Sequence, residues 1–298
     1  MEFFRHGVLK PSLEDIQNQN KKIEYFHKLH QHETQTKPFV IMNCWDATSA
    51  KQMELVGAPA IATTSVGMAA TFGFADGEQL PFEIFLFMIQ CIMKVITIPL
   101  SVDFEAGYGK TNQHICENIE KLMHAGVVGI NIEDCNADTG TLFDPLLQAG
   151  KIRAIKELAK QNNIPHFYVN ARTDTYWMKE KLPYETEEAR FNDTLYRLQL
   201  YKEAGADGIF IPGLTQLELV NRLKQNVNLP INIQNGPWTL QQAHDSGVSR
   251  ISTGSNIYRL CIQNTLQVAS DILKNPREDT LNMPVASLTY HDVDKYFT

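Results

Sequence analysis

The sequence is poor in the features that would tie it to a membrane, to nucleic acid or to disulfide-based folding. No apolar stretch reaches the ~18 residues of a membrane span. The longest candidate, around Ile84 to Ile98, is broken by Gln90 and Lys94 and reads as a buried helix plus a strand. Lys and Arg are dispersed without a basic run, and the net charge of -7 disfavours general nucleic-acid binding. The five cysteines, Cys44, Cys91, Cys116, Cys135 and Cys261, have no paired spacing, which fits buried free thiols in a reducing cytoplasm. There is no C-x-x-C and no H-E-x-x-H, which argues against a zinc site. Gly107-Tyr108-Gly109-Lys110-Thr111 has the wrong spacing for a P-loop, so a nucleotide-binding barrel is not expected. The N-terminus, Met-Glu-Phe-Phe-Arg-His, lacks the apolar core and cleavage site of a signal peptide, so a cytoplasmic location is the expectation.

What is present is a repeated unit. Residues 1–36 are polar, with a partial helical stripe of Leu13, Ile16, Ile23, Phe26 and Leu29, read as an N-terminal helix lying across the domain. From Pro38 a short apolar strand, a polar loop and an amphipathic helix recur. Strands are expected at 39–43, 60–63, 99–103, 128–132, 166–170, 208–211, 231–233 and 250–252. Eight strands alternating with helices argue for an α/β fold closed as a (β/α)8 TIM barrel. The expected layout is a single domain, with a helical extension over 1–36, the barrel over 38–275 and a tail over 276–298 containing Pro276, Arg277 and Pro284. Gly57, Gly126, Gly205 and Gly247 each stand between a helix and the next strand, where a positive φ at C′ calls for glycine.

The chemistry gathers at strand ends. The apolar run Ile96–Leu100 leads into Ser-Val-Asp-Phe-Glu-Ala-Gly-Tyr-Gly at 101–109. Side chains two apart on a strand point the same way, so Asp103 and Glu105 are expected to converge. Two such carboxylates suit a hard cation with oxygen ligands, Mg²⁺ or Mn²⁺. Glu133, on the next strand end, could join them. The strand at 166–170 runs into Arg172, Thr173 and Asp174, and the strand at 60–63 into Ser65 and Gly67, with Asp76 beyond. Polar groups at several successive strand ends mark the active face of a barrel, whereas a doubly wound sheet concentrates its site at one switch point. The planar fork of Arg172 suits a pair of carboxylate or phosphonate oxygens, and it could equally neutralise Asp174 or Glu133. Trp45 can wall a pocket or pack in the core. Asn232 and Gln234, on the seventh strand, offer amides to a substrate.

These motifs resemble those of the isocitrate lyase/phosphoenolpyruvate mutase superfamily. The resemblance rests on Asn43-Cys44-Trp45-Asp46-Ala47, Thr64-Ser65-Val66-Gly67, Ala75-Asp76-Gly77-Glu78, Val102 to Gly109, Asn131-Ile132-Glu133-Asp134 and Asn170-Ala171-Arg172-Thr173-Asp174, over roughly residues 38–275. It implies a Mg²⁺ site at Asp103, Glu105 and Glu133, with Asp76 helping to hold the metal shell. It implies catalytic positions for Arg172, Glu133 and Asp76. It assigns the substrate carboxylate to the hydroxyl and backbone donors of Ser65, Val66 and Gly67, where the family more often has Gly at the Val66 position. It implies a small carboxylate substrate and a homo-oligomer, dimer or tetramer, in which the eighth helix is exchanged between subunits. By that likeness 257–273 would dock on a neighbour.

Two departures limit what the resemblance says about the reaction. Lyases of the family carry Lys-Lys-Cys-Gly in a loop after the Glu133 position, and mutases carry Lys and Asn-Ser. Residues 135–143 here read Cys-Asn-Ala-Asp-Thr-Gly-Thr-Leu-Phe. Thr141 aligns with the lyase cysteine and is a poor proton donor. Ile211-Pro212-Gly213 stands where lyases place Glu and mutases His. The expected activity is C–C bond cleavage in a 2-oxo or 2-hydroxy di- or tricarboxylate through an enolate. Alternatives are P–C bond chemistry, a related transferase acting on 2-oxo acids, and an inactive barrel that still binds a 2-oxo acid.

Overall fold

The computed structural model describes residues 10–136, 139–178, 180–274 and 288–297. Residues 276–287 and 298 of the expected tail, and Ala137 and Asp138 of the departing loop, lie outside that set. In chain order the elements are α1 (Leu13–Leu29), β1 (Phe39–Cys44), α2 (Ala47–Leu55), β2 (Ile61–Thr63), α3 (Ser65–Thr71), α4 (Phe82–Val95), β3 (Leu100–Asp103), α5 (Asn112–His124) and β4 (Gly129–Glu133). A small antiparallel hairpin follows, β5 (Cys135–Asn136) with β6 (Thr141–Leu142). Then come α6 (Pro145–Gln161), β7 (Tyr168–Arg172), α7 (Glu187–Glu203), β8 (Gly208–Phe210), α8 (Leu217–Asn226), β9 (Ile231–Gln234), α9 (Leu240–Asp245), β10 (Val248–Ser252), α10 (Asn256–Lys274) and α11 (Tyr290–Asp294).

Eight parallel strands close in the order β1-β10-β9-β8-β7-β4-β3-β2, so the chain is a (β/α)8 TIM barrel. The strands are short and buried on both faces, as β-branched runs between covering helices should be. Gly57, Gly126, Gly205 and Gly247 have φ of 88°, 90°, 101° and 95°, the left-handed C′ geometry expected of them. The run before β3 differs from expectation: α4 extends to Val95 and the strand begins only at Leu100, because Pro99 cannot donate to the ladder.

α1 closes the N-terminal mouth of the barrel. Ser12 and Asp15 form its capping box. Ile23 and Phe26 are fully buried, Gln19 Nε2 donates to the carbonyls of Met123 and Val127 at 2.9 and 2.8 Å, and Phe26 meets the Tyr168 ring edge-on at 5.2 Å. α10 is the opposite case. None of its residues is buried, and Leu266 and Leu273 are 66% and 80% exposed. Its first turn meets the barrel through Ile257 and through Tyr258, whose ring lies 5.2 Å from Trp45.

Candidate active site

Register places the polar residues at one level. Asp103 pairs with Asn131 across β3 and β4, Asn131 with Asn170 across β4 and β7, and Glu133 with Arg172 one layer higher. Asn170 Nδ2 donates to Asn131 Oδ1 at 2.9 Å, and Asn131 Nδ2 approaches Asp103 Oδ1 at 3.5 Å. This amide row orients donors toward Asp103 from below. Neither asparagine was singled out from sequence, although both sit in the motifs.

Asp103 and Glu105 do not converge by strand alternation. Glu105 lies beyond β3 with φ of 46°, in the left-handed region, so the two-residue period has already ended. Its carboxylate is turned toward the loop after α3: Oε2 accepts from Gly77 N and Glu78 N at 2.9 and 2.8 Å, and Oε1 from Tyr108 Oη at 2.6 Å. Glu105 therefore anchors the turn that carries Asp76. Glu78 accepts from Tyr108 N at 2.6 Å and clamps the turn from the other side.

Arg172 is engaged by acids on two sides. Its Nη1 lies 2.7 Å from Glu133 Oε2, and Nε and Nη2 reach the two oxygens of Asp174 at 2.6 and 2.9 Å. The neighbouring Asp134 points away from the site. Fully buried, it accepts from Thr173 Oγ1, Asp174 N, Tyr201 Oη and Arg197 Nη1, and so fixes the strand end that presents Arg172 and Asp174. Cys135 donates to Met178 Sδ at 3.4 Å. Burial, then Glu133 and Asp174, push its thiol up to about 12, which makes it a poor nucleophile.

Two small cavities open over this floor. One of about 260 Å³ is lined by Asp76, Glu105, Glu133, Asp174 and Arg172. The other, about 80 Å³, is lined by Asp103, Asn131, Val66 and Gln234. Ser65, Asp76, Arg172 and Trp177 border both. Three expected substrate contacts sit elsewhere. Trp45 packs on Tyr258, and Gly67 is pressed against Trp45, where an added Cβ would come within 2.7 Å of the Trp45 Cβ. Asn232 is buried inside the barrel and accepts from Ser252 Oγ at 3.1 Å.

Crowded acids dominate the electrostatics. Burial, then the charge of Asp76, raises Asp103, with Arg172, Asn131 and the Ser65 N–H opposing. Glu105 rises to about 7 through burial and then Asp76 and Asp103, against its bond from Tyr108. Glu133 lies well above the ordinary range, driven by burial and by Asp174, Asp103 and Glu105, while Arg172 pulls it down. Five carboxylates border the two cavities, Asp76, Asp103, Glu105, Glu133 and Asp174, with Arg172 and Lys181 as cations. That surplus of oxygen donors fits a hard divalent cation. Among the described residues, the three-ligand group whose donor atoms lie within 4.8 Å of one another is Glu133, Cys135 and Asp174, not Asp103, Glu105 and Glu133. A protonated thiol and two carboxylates already bound by Arg172 suit Mg²⁺ poorly. Asp103, which makes no ion pair among the described residues, suits it better.

Residues 26–273 match the phosphoenolpyruvate phosphomutase family. An uncharacterised protein of Mycobacterium tuberculosis is 37% identical over 240 residues, covering 78% of this chain and 83% of that one. The 2-methylisocitrate lyase of Escherichia coli is 28% identical over 206 residues, covering 66% of this chain and 65% of the lyase. A crystal structure from Burkholderia cenocepacia, described as a candidate phosphonomutase, superposes with a TM-score of 0.78 at 33% identity, covering 84% of this chain and 99% of that one.

Proposed function

The chain belongs to the isocitrate lyase/phosphoenolpyruvate mutase superfamily, and from that premise we propose that it is a Mg²⁺-dependent lyase. It cleaves a C–C bond in a small 2-oxo or 2-hydroxy di- or tricarboxylate through an enolate. The observation that carries this reading is the meeting of an acid surplus with one forked cation, Arg172, at the C-terminal ends of β2, β3, β4 and β7. A bound Mg²⁺ would supply positive charge to the oxygens of the 2-oxo acid as the enolate develops. Asp103 would hold the ion, with Glu105, Glu133 and Asp76 as the acids around it. Arg172 stabilises the enolate oxygen, held in place by Asp174 and Glu133. The Ser65 hydroxyl and the Val66 N–H receive the carboxylate, while the Ser65 N–H serves Asp103, and Gln234 borders the same cavity.

P–C bond chemistry is the second reading, since the matched family is described by a phosphomutase and Thr141 replaces the lyase cysteine. The exposed apolar face of α10 supports a homo-oligomer that covers it. The five free thiols accord with a reducing cytoplasm. No described helix is long and apolar enough to cross a membrane.

The test is thermal unfolding with Mg²⁺ and oxalate, a planar mimic of pyruvate enolate, separately and together. A ligand at ~100 times its Kd adds about 2.7 kcal/mol. The reading expects a shift that needs both components and disappears in Asp103→Ala. No joint shift in the wild type would remove the enolate site.

A further inference from the structure

Beside the acid-lined cavities lies a larger one of about 740 Å³. Its walls come from the loops that follow β2, β3 and β4, together with the first turn of α5 and the second turn of α6, so it belongs to the active face. Gly77 and Gln79 line both it and the 260 Å³ acid cavity, so the two are neighbours across a single turn.

Their charges are opposite. The acid cavity has four carboxylates on its walls, Asp76, Glu105, Glu133 and Asp174, against Arg172 and Lys181. The larger one has Lys151, Lys110 and His114 against a single acid, Glu78. Lys151 is the built element. It is 7% exposed, yet its ammonium makes one hydrogen bond, to Ala106 O at 3.1 Å, and lies 3.8 Å over the Phe143 ring. Among the described residues no carboxylate lies within ion-pair distance of it. An ammonium has three donors, so two remain to be met.

The fold does not demand a cation there. Lys151 shares the buried face of α6 with Ala149, Ile152, Ile155 and Ala159, and with Gln148, which is uncharged and donates to Ile132 O; an uncharged side chain at 151 would avoid the desolvation of a charge. A buried ammonium with spare donors beside a metal-type acid site suits a ligand with a negative group at its far end. We propose that this cavity receives the remote carboxylate of the substrate, with Lys151 as its cation, while the 2-oxo end sits at Asp103 and Arg172. The inference rests on the enolate reading and deepens it by giving the second acid group of the substrate a place, at Lys151 in the neighbouring cavity.

The test is calorimetric titration of the Mg²⁺-loaded protein with oxalate and pyruvate, then with 2-oxo diacids of increasing length: freshly prepared oxaloacetate, 2-oxoglutarate and 2-oxoadipate. One of the diacids should bind about tenfold or more tightly than pyruvate. Lys151→Met should lower that diacid's affinity about tenfold more than it lowers oxalate's, and Lys151→Arg should recover part of the loss. Equal loss for oxalate and diacid would make Lys151 merely structural. Diacids that bind no better than pyruvate, or are indifferent to Lys151 while oxalate binds, would overturn the subsite and leave the enolate reading standing. Failure of oxalate to bind the wild type would overturn both. If Lys151→Met does not fold, Lys151→Gln and Lys151→Arg carry the same comparison.

Discussion

Two arginines sit on the strands of this barrel, Arg172 and Arg250, and they keep different company. Arg172, at the end of β7, is met on two sides of its guanidinium by Glu133 and Asp174. Arg250, in the middle of β10, is 0% exposed, and none of its three guanidinium nitrogens has a protein partner among the described residues. Near it the Tyr168 hydroxyl and Asn232 Nδ2 are also without one. The difference shows in their basicity. Burial works against both charges. The surrounding acids hold Arg172 well above its usual value, whereas burial takes Arg250 down to about 10 with Tyr168 and Asp103 as weak compensation. Charge at the barrel's exit is thus locked into a network, and charge within the barrel is a desolvation cost with little return from the protein itself.

That contrast can be broken by substitution. Arg172→Met leaves two buried carboxylates facing each other and should destabilise by about 3–5 kcal/mol in urea unfolding. Next in size, Tyr108→Phe removes a bond to the Glu105 carboxylate and should cost about 1.5–3 kcal/mol by the same measurement. A loss near zero would mean that Glu105 sits protonated and needs no donor.

The third effect depends on pH. Burial lowers Lys151 from 10.5 to about 8, against the opposing charges of Glu78, Asp134 and Glu133. Between those values the unfolded chain binds the proton and the folded chain does not, so stability on this account rises with pH from about 8 to 10.5. The slope is at most about 1.4 kcal/mol per unit. Lys151→Met should flatten that rise. Diacid affinity should move the other way, falling above about pH 8 as the ammonium deprotonates. Arg250→Met should have the smallest effect, within about 1 kcal/mol of wild type or more stable. A loss as large as that of Arg172→Met would show that the interior charge is held as firmly as the exit charge.

The barrel was legible because its strands and loops repeat. All eight expected strands appear in order, displaced by a few residues at their ends, and the glycines at helix exits take the positive φ required of them. The candidate site was less so. Asp103 was read as part of a strand and is one, but the same reasoning carried past the strand's end to Glu105, where the backbone turns left-handed and redirects the carboxylate. Sequence spacing holds no trace of that reversal. It also left open whether Arg172 faces ligand or acids, because pairing across β4 and β7 depends on register. Lys151 was passed over inside a helical stripe. The available signal was a cation on a mostly apolar face, four residues before Ile155 and beside Ile152. Trp45 and Gly67 were matched by motif, and their packing against each other and Tyr258 needs a helix far along the chain.

α10 carries its own consequence. A helix of 19 residues that buries none of them has little beyond its internal bonds to keep it formed. Whatever covers Leu266 and Leu273 binds the folded chain and not the unfolded one, so it adds stability as the logarithm of its concentration. If the cover is a second copy of the chain, abundance becomes part of the fold: while the concentration stays well above the dissociation constant, each tenfold dilution removes about 1.4 kcal/mol of that support. A cell making little of this protein would hold it in a looser form than a cell making much.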